Sequence, residues 1–156
     1  MTIEDNMYDD KSIDNIRNVL AKDSSSPTLN AQDTEGETAL YKACSDSKRI
    51  DIAKLLLSKG SLPDIQDKQG WTALFMACRW GYTETVSLLL QNDASVGIQD
   101  NLGRTALHIA ARWGYIEIIK LLLDNGAIKT AKDNTGKTAS EVAQEKGRED
   151  VVSVLS

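Results

Sequence analysis

The eight residues Asp33–Leu40, DTEGETAL, carry the pattern that decides the fold, because it returns three times further along the chain. The later copies are DKQGWTAL at Asp67–Leu74, DNLGRTAL at Asp100–Leu107 and DNTGKTAS at Asp133–Ser140. Successive copies begin 34, 33 and 33 residues apart. A fixed period of this length predicts a solenoid, in which similar helical or stranded units stack on one another.

Each copy predicts a β-turn followed by a helix. The Asp side chain can accept hydrogen bonds from nearby backbone N–H groups, and the Gly three residues later tolerates a positive φ. The Thr that follows suits a helix N-cap. Glycines at 81, 114 and 147 then end a short first helix, and a second helix carries leucine stripes such as Leu121–Leu123 before Gly60 or Gly126 stops it.

Two departures from the period predict local irregularities. The first unit has one extra residue and no Gly between its helices, so we expect an irregular loop there. In the second unit Asp93 stands where the third has Gly126, so Asp93 must tolerate or avoid a left-handed conformation. Cys44 and Cys78 occupy matching positions of neighbouring units, too far apart for a disulfide, and are predicted to be buried free thiols.

A repeat of 33 residues with turn, helix, helix and a T-x-L core resembles the ankyrin repeat. The resemblance implies an all-α ankyrin-repeat solenoid of stacked helix-turn-helix units joined by β-turn fingers. It also implies one domain over residues 1–156. We divide it into an N-terminal capping unit at 1–32, repeats at 33–66, 67–99 and 100–132, and a C-terminal capping repeat at 133–156. The apolar residues of 13–20 are interpreted as a second helix of the N-terminal unit.

Composition and charge exclude several classes of protein. Hydrophobic residues make up 41% and charged residues 26% of the 156 residues, which is typical of a globular chain. The net charge of -5 disfavours nucleic acid as a partner. No apolar run approaches the roughly 20 residues of a membrane span, and residues 1–10 do not resemble a secretion signal. We therefore expect a monomer without membrane contact, in the cytoplasm or the nucleus.

The sequence offers few groups for catalysis. His108 is the single histidine, and in the ankyrin family its position in the first helix forms hydrogen bonds within the turn layer. We therefore predict a structural role for His108, and no catalytic residues. No Cys/His spacing resembles a zinc site, no turn supplies the ligand set of an EF-hand, and no glycine-rich phosphate loop is present. The prediction is a chain without metal or cofactor.

The resemblance implies that a partner protein binds to a concave face formed by the turn tips and the ends of the first helices. Trp and Arg are the residues most enriched at binding hot spots, and this assignment brings all the tryptophans together with three arginines. The predicted partner-binding residues are Lys68, Gln69, Trp71, Arg79, Trp80, Asn101, Leu102, Arg104, Arg112, Trp113 and Lys137.

The charges of this surface predict the chemistry of the partner. Its acidic and apolar groups should meet the central repeats, and a basic group should meet Glu35, Glu37 and Asp46 of the first repeat. The competing interpretation for Trp80 and Trp113 is packing against the neighbouring repeat. Trp71 lies at a turn tip, where a structural role is harder to assign, so binding is favoured there.

The predicted function is a protein-binding module without catalysis. Two alternatives remain open at this point. The chain could be a small inhibitor or assembly chaperone of one enzyme or complex, or it could be a structural spacer that leaves its Trp and Arg residues unused. Binding of single-stranded RNA through interleaved Trp and Arg is a further possibility that the net charge disfavours.

Overall fold

The computed structural model describes residues 29–156, in which the helices come in pairs. The residues interpreted as a second helix of the N-terminal unit lie outside this range. No β-strand occurs between residues 29 and 156. The helices are α1 (Ala39–Cys44), α2 (Ile50–Ser58), α3 (Ala73–Trp80), α4 (Thr83–Gln91), α5 (Ala106–Trp113), α6 (Ile116–Asp124), α7 (Ala139–Glu145) and α8 (Glu149–Leu155).

The pairs stack into two layers. The first helices α1, α3, α5 and α7 pack on one another in chain order, and the second helices α2, α4, α6 and α8 form the layer beside them. The central leucines of the stripes, Leu56, Leu89 and Leu122, are fully buried between the layers. This arrangement confirms the predicted all-α solenoid, whose core is continuous from unit to unit. Where one unit ends and the next begins stays a prediction.

The turns between units, here called fingers, are held by their Asp side chains as predicted. In the first finger Oδ1 of Asp33 accepts hydrogen bonds from the N–H groups of Glu35 at 2.8 Å and Glu37 at 2.9 Å. Gly36 follows in the left-handed region with a φ of 83°. The same pair of bonds recurs at Asp67, Asp100 and Asp133.

Hydrogen bonds also tie each finger to the next. The Lys68 N–H donates to the Glu35 carbonyl at 3.0 Å, and equivalent bonds join the later fingers. The Gln66 side-chain amide donates to carbonyl oxygens of two fingers, those of Gly70 and Gln99. Gln32 and Gln99 repeat this arrangement. Because backbone and side-chain bonds repeat together, the fingers form a fixed ladder.

The predicted Thr caps hold in most units. Thr38 Oγ1 accepts the Tyr41 N–H at 3.1 Å, and Thr138 shares a capping box with Glu141. Thr72 also occupies the N-cap position of α3, but its hydroxyl oxygen is buried and has no hydrogen-bond partner among the described residues. A buried hydroxyl without a partner keeps its desolvation cost.

This difference between caps gives a test. We expect Thr72→Val to leave the free energy of unfolding unchanged or to raise it by up to about 1 kcal/mol, because no hydrogen bond is lost. Thr38→Val should lower it by about 1 kcal/mol, since a helix cap disappears. Urea unfolding of both variants checks the prediction. An equal loss for the two would mean that the Thr72 hydroxyl is bonded in solution.

The irregular loops take the forms that the sequence indicated. In the first unit a short 3-10 turn, Ser47–Arg49, replaces the glycine, and Asp46 Oδ1 caps it by accepting the Lys48 N–H at 3.0 Å. Asp93 adopts the left-handed conformation, with a φ of 61°. The tight turns between paired helices in the second and third units depend on Gly81 and Gly114, whose φ values are 74° and 83°. Within residues 29–156 no helix combines the length and the hydropathy of a membrane span.

Both cysteines are buried free thiols, as predicted. Burial raises the pKa of Cys44 to about 12 and raises that of Cys78 further. A thiol whose pKa is raised holds almost no thiolate at pH 8, and only the thiolate is nucleophilic.

We therefore expect the native protein to resist alkylation by iodoacetamide at pH 8, while both thiols react once it is unfolded in guanidinium. Mass spectrometry after a timed quench measures this difference. Rapid labelling of the native chain would contradict the burial of these side chains.

Candidate partner-binding surface

The structure separates the predicted aromatic and arginine residues into two groups at opposite ends of helix α3. We call Trp71, Asp100 and Arg104 the finger cluster, and Arg79, Trp80 and Trp113 the helix-end cluster. Helix α3 is eight residues long and ends at Trp80, so about 12 Å of helix axis separates its two ends. The two clusters therefore have different surroundings and are described in turn.

Asp100 is the central acceptor of the finger cluster, and its side chain is 1% exposed. Its Oδ1 accepts the backbone N–H groups of Leu102 at 3.0 Å and Arg104 at 2.8 Å. Its Oδ2 accepts the Nε and Nη2 donors of Arg104 at 2.8 and 2.6 Å, and the indole N–H of Trp71 at 3.1 Å. One carboxylate thus joins the second finger to the third.

Trp71 consequently has a structural role that its position at a turn tip did not indicate. Its partly buried ring lies 6.0 Å from that of Phe75, centroid to centroid, and the Arg104 guanidinium lies 5.8 Å from its centroid. The charge of Arg104 is neutralised within the protein by Asp100. Participation of Trp71 and Arg104 in binding stays a prediction.

The side chains of the helix-end cluster are more exposed to solvent than those of the finger cluster. Trp80 and Trp113, the last residues of α3 and α5, are 51% and 37% exposed. The guanidinium carbon of Arg79 lies 5.7 Å from the Trp80 ring centroid and 4.7 Å from that of Trp113. These distances are within the range of cation–π attraction. The cluster therefore packs across the boundary between two units while leaving both indole rings accessible.

Arg79 and Arg112 differ from the other arginine of the predicted set. Neither forms an ion pair or a side-chain hydrogen bond with the part of the chain that the structure describes. Arg112 is exposed and Arg79 is partly exposed.

The remaining predicted residues lie along the fingers and beside them. Lys68 is 3.7 Å from Glu35, and both side chains are 61% exposed. The Asn101 side-chain amide donates to the Lys68 carbonyl at 2.8 Å. Leu102 is 57% exposed, and Gln69 is also exposed. Lys137 is bonded to Glu145, and this hydrogen bond raises the pKa of Lys137.

The acidic end predicted for the first repeat is largely neutralised. Asp46 is 3.2 Å from the Arg49 guanidinium, and Glu35 pairs with Lys68. Glu37 is partly buried, and this burial, together with the carboxylate of Asp33, raises its pKa.

A polar cleft of about 230 Å³ lies at this end of the molecule. Of its lining residues, Glu37 and Asp46 belong to the surface that was predicted from the sequence. Most of the others were not predicted, because they lie on or beside the helices instead of at the finger tip. The cleft is lined by Glu37, Tyr41, Lys42, Ser45, Asp46, Arg49 and Met76.

His108, which is 1% exposed, connects the third unit to the last one by hydrogen bonds. Its Nδ1 accepts the Thr105 N–H at 3.1 Å, so Nε2 carries the proton and donates to the Lys137 carbonyl at 3.0 Å. Both ring nitrogens are occupied by structural bonds, in agreement with the predicted role. Residues 29–156 contain no group of three His, Cys, Asp or Glu side chains suited to a metal ion.

Comparison with known proteins agrees with this architecture. The family model for ankyrin repeats, which spans three copies, matches residues 10–100 and again residues 90–156. No curated protein sequence matches the chain. Since the two matches together extend from residue 10 to residue 156 and the described helix pairs stack as the repeat requires, the chain belongs to the ankyrin-repeat family.

Proposed function

We propose that this chain binds a partner protein through the surface formed by its fingers and first helices, and that it acts by binding alone, without catalysis. Ankyrin repeats are generally protein–protein interaction modules, which supports the class of function. We also propose that the chain acts as a monomer in the cytoplasm or the nucleus.

The observation that carries the proposal is the exposure of Trp80 and Trp113. Two tryptophans that remain 51% and 37% exposed at matching ends of neighbouring helices form an apolar patch next to arginines that have no ion pair with residues 29–156. Aromatic and arginine side chains dominate the energetics of interfaces because they bury large areas with few rotatable bonds.

The hydrogen-bonded fingers support the same proposal. The ladder of Gln66 and Gln99 holds successive fingers in a fixed register, so little conformational entropy is lost when a partner docks. A preorganised surface of this kind permits a few anchor residues to supply most of the affinity.

The charges near the patch suggest the partner's chemistry. Arg79 and Arg112 favour a partner that presents acidic and apolar groups to the central repeats, and a basic group would meet Glu37 at the N-terminal end. A net charge of -5 supports a protein partner over nucleic acid.

A pull-down from an extract of the source cells tests the proposal. We expect the wild-type chain to capture a protein that the Trp80→Ala/Trp113→Ala variant loses, with a fall in affinity of roughly tenfold or more for each ring. The matched control is Leu62→Ala/Ile128→Ala, which removes two exposed apolar side chains from the turns after the second helices.

Circular dichroism would verify that both variants are folded. Equal capture by wild type and the tryptophan variant would refute the assignment of the surface, and would favour a structural spacer. Loss of a captured enzyme's activity on titration would identify an inhibitor.

A further inference from the structure

The helix-end cluster contains an arginine that lies near two aromatic rings and has no acidic partner within residues 29–156. The Arg79 guanidinium lies within 6 Å of both the Trp80 and Trp113 centroids. It forms no ion pair with the described residues, whereas Arg104 donates to Asp100 through two nitrogens. Of these two stacked arginines, only Arg79 therefore has its donors available to a ligand.

The position of Arg79 also limits what it can bind. A guanidinium stacked against a ring interacts with that ring through its face, while its N–H groups point outward along its edge. Edge donors of this kind match the two oxygens of a carboxylate. Trp80 and Trp113 offer apolar surface near the guanidinium, and Arg112, which has no ion pair with the described residues, adds a second positive charge next to Trp113.

We infer that Trp80, Arg79 and Trp113 form a binding site for a carboxylate side chain in an acidic, apolar peptide segment. An Asp or Glu of that segment accepts hydrogen bonds from Arg79, and flanking apolar residues cover the two indole rings. The inference rests on the proposed function and narrows it, because it assigns acid recognition to the helix-end cluster and not to the finger cluster.

Arginine in a fixed orientation loses little freedom when it binds, which favours this site over exposed lysines. The finger cluster cannot offer the same chemistry, since Asp100 already accepts from both Arg104 and Trp71. A partner carboxylate there would face a buried carboxylate of the protein itself.

Fluorescence anisotropy with two labelled synthetic peptides tests the inference. One peptide repeats Leu-Glu-Gly and the other repeats Leu-Gln-Gly, so that they differ only in the side-chain charge. We expect the wild-type chain to bind the glutamate peptide at least about tenfold more tightly at low salt, as charge-assisted hydrogen bonds exceed neutral ones.

Arg79→Met should abolish this preference. Lys120→Met removes the same charge from an exposed residue of α6 that has no ion pair with the described residues, and it should leave the preference within twofold of wild type. Thermal unfolding would show that both variants remain folded.

Three results would overturn the inference: no binding of the glutamate peptide, equal binding of the two peptides, or equal effects of Arg79→Met and Lys120→Met. If the pull-down still yielded a partner that depends on Trp80 and Trp113, the proposed function would stand and only the carboxylate site would be refuted.

Discussion

Asp100→Ala is expected to lower the free energy of unfolding by about 2–4 kcal/mol, which is typical for the loss of a buried hydrogen-bond network. The carboxylate is 1% exposed and accepts from Trp71, Leu102 and Arg104. Its removal leaves the Leu102 and Arg104 N–H groups without their acceptor and removes the side-chain bond from Trp71 that joins the second finger to the third. Urea unfolding at neutral pH measures the loss.

The matched control is Asp133→Ala in the last finger. Asp133 accepts from the N–H groups of Thr135 and Lys137 in the same way, but the hydrogen bonds that it accepts within residues 29–156 all come from its own turn. We expect a loss of about 1 kcal/mol, since only the local turn is weakened. If the two variants lost equal stability, the bonds from Trp71 and Arg104 to Asp100 would contribute nothing measurable.

The sequence predicted the turns well because their chemistry is local. Asp33 and Gly36 are close along the chain, and the Asp oxygen reaches N–H groups that every copy of the turn presents. For Asp93 the sequence left open whether the residue tolerates or avoids a left-handed conformation, and its φ of 61° shows that it adopts one.

The role of Trp71 could not be predicted because it depends on how neighbouring units are offset. The spacing of repeats aligns Trp71 with Arg104 in the next unit, but it does not state that both side chains reach the same oxygen of Asp100. From the sequence Trp71 was therefore predicted to be a residue free to bind a partner, whereas in the structure its indole N–H donates to Asp100.

The Thr caps differ in whether the side chain three residues later bonds back to the cap. Three residues after the capping Thr, the third and last units carry His108 and Glu141, whose side chains bond back to the cap. The corresponding residue after Thr72 is Phe75, which has no polar atom. The sequence thus predicts which caps have a reciprocal side chain, but it does not predict the unbonded hydroxyl of Thr72, since Thr38 accepts the Tyr41 N–H without such a side chain.

Gly103→Ala is expected to be the more damaging of two glycine substitutions at equivalent finger positions. Gly103 and Gly136 both lie in the left-handed region, with φ values of 72° and 82°. An alanine in that region costs about 1–2 kcal/mol wherever it stands. The two sites differ in what surrounds the added methyl group.

At Gly103 the methyl carbon would lie 2.8 Å from the backbone nitrogen of Asn134 and would also collide with the Asn134 side chain. Relief requires the last finger to move, and movement breaks the 3.0 Å bond from the Asn134 N–H to the Leu102 carbonyl. Overpacking of this kind adds about 1–3 kcal/mol, so the total loss should be about 2–5 kcal/mol. At Gly136 nothing lies within 4 Å of the methyl carbon, and only the conformational cost applies.

Chemical unfolding of the two variants, followed by helical circular dichroism, measures the difference between these losses. Because stability in a repeat protein is a sum over units and their interfaces, a clash at Gly103 should weaken the interface between the third and last units in particular. Hydrogen exchange should then show faster opening of α7 and α8 in Gly103→Ala than in Gly136→Ala. Equal losses and equal exchange would mean that the last finger can shift freely, so that contact between these fingers contributes little to the stack.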